Sequence, residues 1–202
     1  MTELSGLGTT HALYAPPVRG SIGVVLPGHE LQVVRVDDGA VECGPDEPGE
    51  LMARGPLVTM GYYGDPAATA AAITPDGWLH TGDIATHDGK GRFFVVDRLK
   101  DLILTAGYNV YPAEIERVLM GHPDVALVAV GREPDEVKGE VAHAYVVPAG
   151  DCAPQVADLM AYCRERLSAY KVPRSIHFVD QLPTTSSGKL MRHLLRQPAG
   201  PP

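Results

Sequence analysis

The sequence has no apolar run near membrane-spanning length. Its longest such stretches, Val125–Val130 among them, fall far short of the ~20 residues that a transmembrane helix needs, so no membrane span is expected. The amino end, Met1-Thr2-Glu3-Leu4-Ser5-Gly6, lacks a basic segment followed by an apolar one, and no secretory leader is read there. Cysteine is scarce. Cys43, Cys152 and Cys163 form an odd, widely spaced set, which fits a reduced, cytoplasmic protein whose thiols are packing residues. There is no C-x-x-C, and the eight histidines form no H-E-x-x-H, which argues against a zinc site. Without G-x-S-x-G there is no lipase-like nucleophile elbow, and without G-x-G-x-x-G no dinucleotide fingerprint. A positive excess is missing too: 17 basic against 25 acidic residues leave a net charge of −8 and no general footprint for nucleic acid.

What is present is enough for a packed core. The chain has 202 residues, 45% of them hydrophobic, which allows one large domain or two small ones. Glycine and proline are plentiful (22 and 18), but they punctuate apolar runs and follow no collagen period. Charge is unevenly spread. Residues 1–100 carry 7 basic and 13 acidic groups and residues 101–162 carry 3 and 10, whereas from Cys163 onward there are 7 and 2. That basic end is either a solvated face or a surface that meets an anionic small molecule.

The first hundred residues read as short strands and turns: Leu31–Val36 stopped by Asp37-Asp38-Gly39, then Gly49–Gly55, then Arg92–Val96 after the turn at 87–91. Asp65-Pro66 opens a short alanine-rich helix to Ile73, with Asp as N-cap and Pro at the first helical position. This pattern suggests a sheet or partial barrel. Beyond residue 101 the pattern changes to a compact α+β unit. A helix is expected over Pro112–Met120, a buried strand over Val125–Val130 and another over Glu140–Val147. An amphipathic helix follows over Pro154–Leu167, with Val156, Leu159, Met160, Cys163 and Leu167 on one face, and then a strand over Ser175–Val179. Residues 197–202 read as a frayed tail.

Four places could carry chemistry. Thr81-Gly82-Asp83 puts a carboxylate beside glycine at the end of a β segment, where it is a turn aspartate or a ligand acceptor. Asp97-Arg98-Leu99-Lys100-Asp101 crowds four charges where the sequence changes character, as a solvated linker or a site. Gly107-Tyr108-Asn109-Val110-Tyr111-Pro112 is a strand-to-helix turn or a ligand-lining segment. Pro183–Arg192 combines hydroxyls, glycine and Lys189, but it is not a P-loop: Pro183 stands where that pattern needs glycine and Leu190 where it needs Ser or Thr.

In order and with their flanks, these segments resemble the carboxyl-terminal portion of acyl-CoA synthetases of the adenylate-forming, AMP-binding superfamily. The resemblance rests on Met1-Thr2-Glu3, Gly49–Gly61 with Tyr62-Tyr63, Trp78–Asp83, Asp97–Glu116, Tyr170-Lys171-Val172-Pro173 and Pro183–Arg192, and it covers roughly residues 1–196. It implies an α+β chain: residues 1–99 as the β-rich, partial-barrel end of the large domain, 100–196 as a small mobile carboxyl-terminal domain, and 197–202 as a disordered tail. It also implies an acid–thiol ligase. A fatty or aryl carboxylate attacks the α-phosphate of Mg-ATP to give acyl-AMP and pyrophosphate, and the thiol of CoA then displaces AMP.

By the same resemblance Thr2 binds the α-phosphate and Glu3 helps hold Mg²⁺, a hard cation suited to carboxylate oxygen. Asp83 accepts hydrogen bonds from the ribose diol, and Arg98 donates to the ribose and phosphate side. Lys189 is the catalytic residue that bridges the substrate carboxylate and the α-phosphate. Lys100 is the hinge, and Gly107, Tyr108 and Asn109 line the CoA channel, glycine allowing close approach of the thiol arm. The departure is at the front: the phosphate-gripping loop and acyl tunnel that the family carries upstream have no counterpart here. Two expectations follow. The chain is a fragment of an acyl-CoA ligase that acts with a complementary upstream chain as partner, or it is an inactive remnant or interaction module that contacts nucleotide without turnover.

Overall fold

A computed structural model describes residues 1–6, 8–12, 14–150 and 154–195. Cys152 and the tail expected at 197–202 lie outside the described residues. The chain divides into two units, residues 1–100 and residues 101–202, and its class is α+β, as the sequence implies.

Unit one opens with a 3-10 turn, Thr2–Leu4, whose Leu4 is buried. It is followed by β1 (Thr9–Thr10), β2 (Gly23–Val25), β3 (Glu30–Val34), β4 (Gly49–Arg54), α1 (Pro66–Ala72), β5 (Leu79–His87) and β6 (Arg92–Arg98). The strands make one antiparallel sheet in the order β1-β2-β6-β5-β4-β3, the β-rich partial barrel of the sequence reading. β3 ends at the expected turn: Arg35 and Val41 flank it, Gly39 N donates to the Arg35 carbonyl at 2.7 Å, and Asp37 pairs with Arg35. Five of the six residues of β4 are buried, so the strand is covered on both faces. α1 begins as predicted, with Asp65 Oδ1 accepting from Ala68 N at 2.8 Å and Pro66 at the first turn. The core gathers Val33, Cys43, Leu51, Ala85 and Phe93. One expectation fails here. Thr81-Gly82-Asp83 is not the end of a β segment but lies inside the nine-residue β5, because Gly82 at φ +67° and a register shift on the facing strand let the chain kink and continue pairing.

Unit two contains β7 (Ile103–Thr105), β8 (Tyr108–Val110), α2 (Pro112–Leu119), β9 (Val125–Asp135), β10 (Gly139–Pro148), α3 (Val156–Arg166) and β11 (Ser175–Phe178). β10 pairs antiparallel with β9 along its length, parallel with β11, and through Gly139 with β7. The helices cover one face, burying Ile115 and Leu119 from α2 and Leu159 and Cys163 from α3 against Val128, Val130, Ala144 and Val146. An eight-residue helix such as α2 is too short to be stable alone. Burial of Ile115 and Leu119, worth roughly 1.5–3 kcal/mol each, holds it in place.

Three sequence expectations are corrected. Gly107–Pro112 is not simply a strand-to-helix turn: residues 103–110 form a β-hairpin whose two turn residues, Ala106 at φ +49° and Gly107 at φ +83°, both lie in the left-handed region of a type I′ turn. Val156 is 40% exposed, because the buried stripe of α3 narrows to Leu159 and Cys163. Leu127, inside the strand read as buried, is 52% exposed, since β9 carries helices on one face only. Cys43 and Cys163 are buried free thiols, in line with packing roles.

Candidate nucleotide and thiol-donor site

Asp83 and Arg98 come together through sheet register. They face each other across β5 and β6, and Arg98 Nη1 lies 2.8 Å from Asp83 Oδ1. Asp83 is largely covered (17% side-chain exposure) and Arg98 is open (44%). A carboxylate oriented by a half-exposed guanidinium is suited to accept from hydroxyls while the cation faces an anion. Its backbone is held from below. Thr81 Oγ1 donates to the Leu51 carbonyl at 2.6 Å, and Asp83 N donates to Thr81 Oγ1 at 3.1 Å. The buried Glu50 accepts from Gly82 N at 3.2 Å and meets His80 Nδ1 at 3.0 Å. Glu50 thus spends its carboxylate within the sheet, a role that Gly49-Glu50-Leu51 as a motif did not reveal.

Thr2 and Glu3 share the opening turn. The Glu3 carbonyl accepts from Thr59 N at 2.8 Å, Glu3 Oε1 accepts from Tyr62 Oη at 3.3 Å, and Ser5 Oγ donates to the Leu57 carbonyl at 3.1 Å. The two motif segments 1–5 and 57–62 therefore dock on each other. Among the described residues there is no group of three or more His, Cys, Asp or Glu able to hold a metal. A lone carboxylate such as Glu3 still suits Mg²⁺, which takes one or two carboxylates and completes its shell from phosphate and water.

Lys100 is exposed, in the 3-10 turn Leu99–Asp101. Lys189 stands on a small loop closed by the bridge Thr184↔Leu190. Thr185 N donates to the Lys189 carbonyl at 2.8 Å, Lys189 N to Thr185 Oγ1 at 3.0 Å, and Met191 N to the Pro183 carbonyl at 2.9 Å. The backbone at Lys189 is thus tied while its side chain is exposed, and its ammonium makes no ion pair among the described residues. Three residues on, Arg192 reaches Glu116 Oε2 of α2 at 2.8 Å and Asp101 Oδ2 at 3.1 Å.

Gly107, Tyr108 and Asn109 belong to the β7–β8 hairpin. The visible demand on Gly107 is its turn conformation, and a Cβ built there would meet nothing within 4 Å. Tyr108 stacks on Tyr170, ring centroids 4.5 Å apart. Tyr170 also lines a cavity of about 350 Å³ that is edged by Lys138, Arg164 and Arg174 and has no acidic lining residue. Lys138, Arg164 and Arg174 were not among the sequence candidates. The basic excess after Cys163 was an advance signal for the two arginines, nothing along the chain pointed to Lys138, and Tyr170 had entered only as part of the Tyr170–Pro173 segment.

The comparisons with known proteins agree in direction. Residues 1–63 match the family model described as AMP-binding enzyme, and residues 114–189 match the AMP-binding enzyme C-terminal domain. The chain is 50% identical over 181 residues to a feruloyl-CoA synthase from Amycolatopsis, covering 90% of this chain and 36% of that protein. It is 46% identical over 180 residues to a long-chain-fatty-acid–CoA ligase from Escherichia coli, covering 89% and 31%. Among solved structures, o-succinylbenzoate CoA synthetase from Bacillus subtilis, in complex with its acyl-adenylate intermediate, superposes with a TM-score of 0.85 at 39% identity, covering 98% of this chain and 40% of that one. The chain spans about a third of the length of the curated relatives it matches. Together the two family models match more than half of the chain, which belongs to the AMP-binding, adenylate-forming enzyme family and carries that family's C-terminal domain.

Proposed function

We propose that the chain supplies the ribose-binding and catalytic-lysine parts of an ATP-dependent acid–thiol ligase that makes CoA thioesters through an acyl-adenylate. The observation that carries the reading is the Asp83–Arg98 pair: two residues fifteen apart in sequence meet at 2.8 Å, one as acceptor and one as cation. A vicinal diol needs two acceptor oxygens, and an ionised carboxylate supplies both. Arg98 then faces the phosphate side, with Thr2 as a further donor to the α-phosphate. Glu3 holds Mg²⁺ together with phosphate oxygens, and the ion neutralises phosphate charge.

Lys189 has the properties its role requires: an exposed ammonium on a backbone that is tied at both ends. Placed between a carboxylate and a phosphate, one cation offsets their repulsion and stabilises the charge that develops as the new bond forms. Lys100 is the hinge. CoA enters along Gly107, Tyr108 and Asn109, and the basic cavity beside the Tyr108–Tyr170 stack suits its anionic nucleotide end. The acid is fatty or aryl, the classes handled by the relatives compared above.

The experiment is a fusion of this chain to the amino-terminal portion of the 50%-identical feruloyl-CoA synthase. The fusion should catalyse ATP–pyrophosphate exchange. Lys189→Ala should abolish that exchange, a loss of ~10²–10³ or more, while leaving thioester formation from supplied acyl-adenylate largely intact. Equal loss in both half-reactions would remove Lys189 from the adenylation step. A second reading is a nucleotide-contacting module without turnover of its own, its contacts with nucleotide being those of the Asp83–Arg98 pair. On that reading the 202-residue chain alone gives no exchange above background.

A further inference from the structure

Two carboxylates of α2, Glu114 and Glu116, face in different directions. Residues two apart on a helix are separated by about 200° around its axis, so they do not share a face. Ile115 between them is fully buried and pins the helix to the sheet. Glu114 takes Lys171 Nζ on both oxygens, at 2.8 and 2.7 Å. Lys171 ends the 3-10 turn Ala169–Lys171, the turn that carries Tyr170 onto Tyr108. Glu116 takes Arg192 Nη2 on both oxygens, at 3.0 and 2.8 Å, and Val130 N on Oε1 at 2.8 Å. Arg192 also holds Asp101 and forms the downstream root of the Lys189 loop. All these side chains are partly buried, between 16% and 31% exposed, so the pairs are shielded relative to open surface bridges.

We infer that α2 is a common mount whose two carboxylates position two functional segments independently: Glu114, through Lys171, sets the Tyr170 turn of the thiol-donor channel, and Glu116, through Arg192, sets the Lys189 loop. These are positioning residues, acting through others and not on substrate. The assignment of the two segments to two half-reactions rests on the proposed function; the physical coupling of each carboxylate to its own segment does not.

The test is amide hydrogen exchange on the 202-residue chain. Glu114→Gln removes the charge from one mount only. Exchange should rise about tenfold or more over residues 168–173, while residues 184–192 stay within about twofold of the parent. Glu116→Gln should do the reverse, and trypsin should then cut after Lys189 faster than in the parent. Lys171→Arg, which keeps a charged donor, should preserve protection of 168–173. Arg192→Lys, which cannot fork onto Glu116 and reach Asp101 as well, should mimic Glu116→Gln. Loosening of both segments by either Gln variant, or of neither, overturns the inference. If a Gln variant unfolds globally, the Lys171→Arg and Arg192→Lys pair decides by the same contrast. In the fusion enzyme, Glu116→Gln should depress exchange activity and Glu114→Gln thioester formation. Correct segment protection without that split would count against the functional reading and leave the mount intact.

Discussion

Replacing Asp83 by Asn separates ligand recognition from stability. In the parent, one carboxylate oxygen is 2.8 Å from Arg98 and the carboxylate as a whole offers two acceptors. Asn keeps one acceptor oxygen and exchanges the other for an NH₂ that, turned toward Arg98, meets another donor. A diol therefore loses one hydrogen bond to a charged acceptor, worth ~1.5–3 kcal/mol, or roughly a ten- to hundredfold weakening. The stability cost is small by comparison. With Arg98 44% exposed, the lost ion pair is discounted to about 0–1 kcal/mol, and Asn fits the same space. The assay is isothermal calorimetry with AMP and 2′,3′-dideoxy-AMP on the chain and on Asp83→Asn, alongside urea denaturation of both. The parent should prefer AMP, the variant should lose most of that preference, and the urea midpoints should nearly coincide. An unchanged preference, or a parent that never discriminated, would refute the ribose assignment.

Other outcomes follow from the same geometry. Burial pushes the His143 imidazole below its usual 6.5, outweighing the pull of nearby Glu133 and assisted by His177 and Arg174. The unfolded chain then binds the proton more tightly, so this stability is present above about pH 6.5 and is lost as pH falls through the lower folded value. His143→Gln should flatten the urea midpoint between pH 7.5 and 5.5, and an unchanged slope would assign it to other groups. Cys163, fully buried, has its thiol pushed up to about 11. At pH 8 it should resist a disulfide reagent until denaturant is added, and mass mapping of labelled peptides would detect early modification. At the hairpin turn, Ala106→Asn creates Asn-Gly at two left-handed positions and should raise stability by about 0.5–1 kcal/mol; a lower melting temperature would mean that the turn is not type I′. Ile115→Val should cost about 0.5–1.5 kcal/mol by chemical denaturation, and no cost would contradict its full burial.

Local signals were legible wherever one segment carries its own boundary chemistry. Asp65-Pro66 and Tyr111-Pro112 open helices because a fixed φ and a missing N–H cost nothing in a first turn. The Asp-Asp-Gly stretch reverses the chain for an equally local reason. The motif order from Met1 to Arg192 was likewise enough to identify the family. What the chain could not announce was pairing between distant residues. Asp83 meets Arg98 only because β5 and β6 adopt a register that includes a bulge, and a shift of one residue would turn either side chain to the opposite face. Glu114, Glu116, Lys171, Arg192 and Asp101 all fall in segments that carry the resemblance, but nothing along the chain says which of them pair. Packing of α2 on the sheet made them partners, since attraction between charged groups depends on separation in space, which the core sets, and not on separation in sequence.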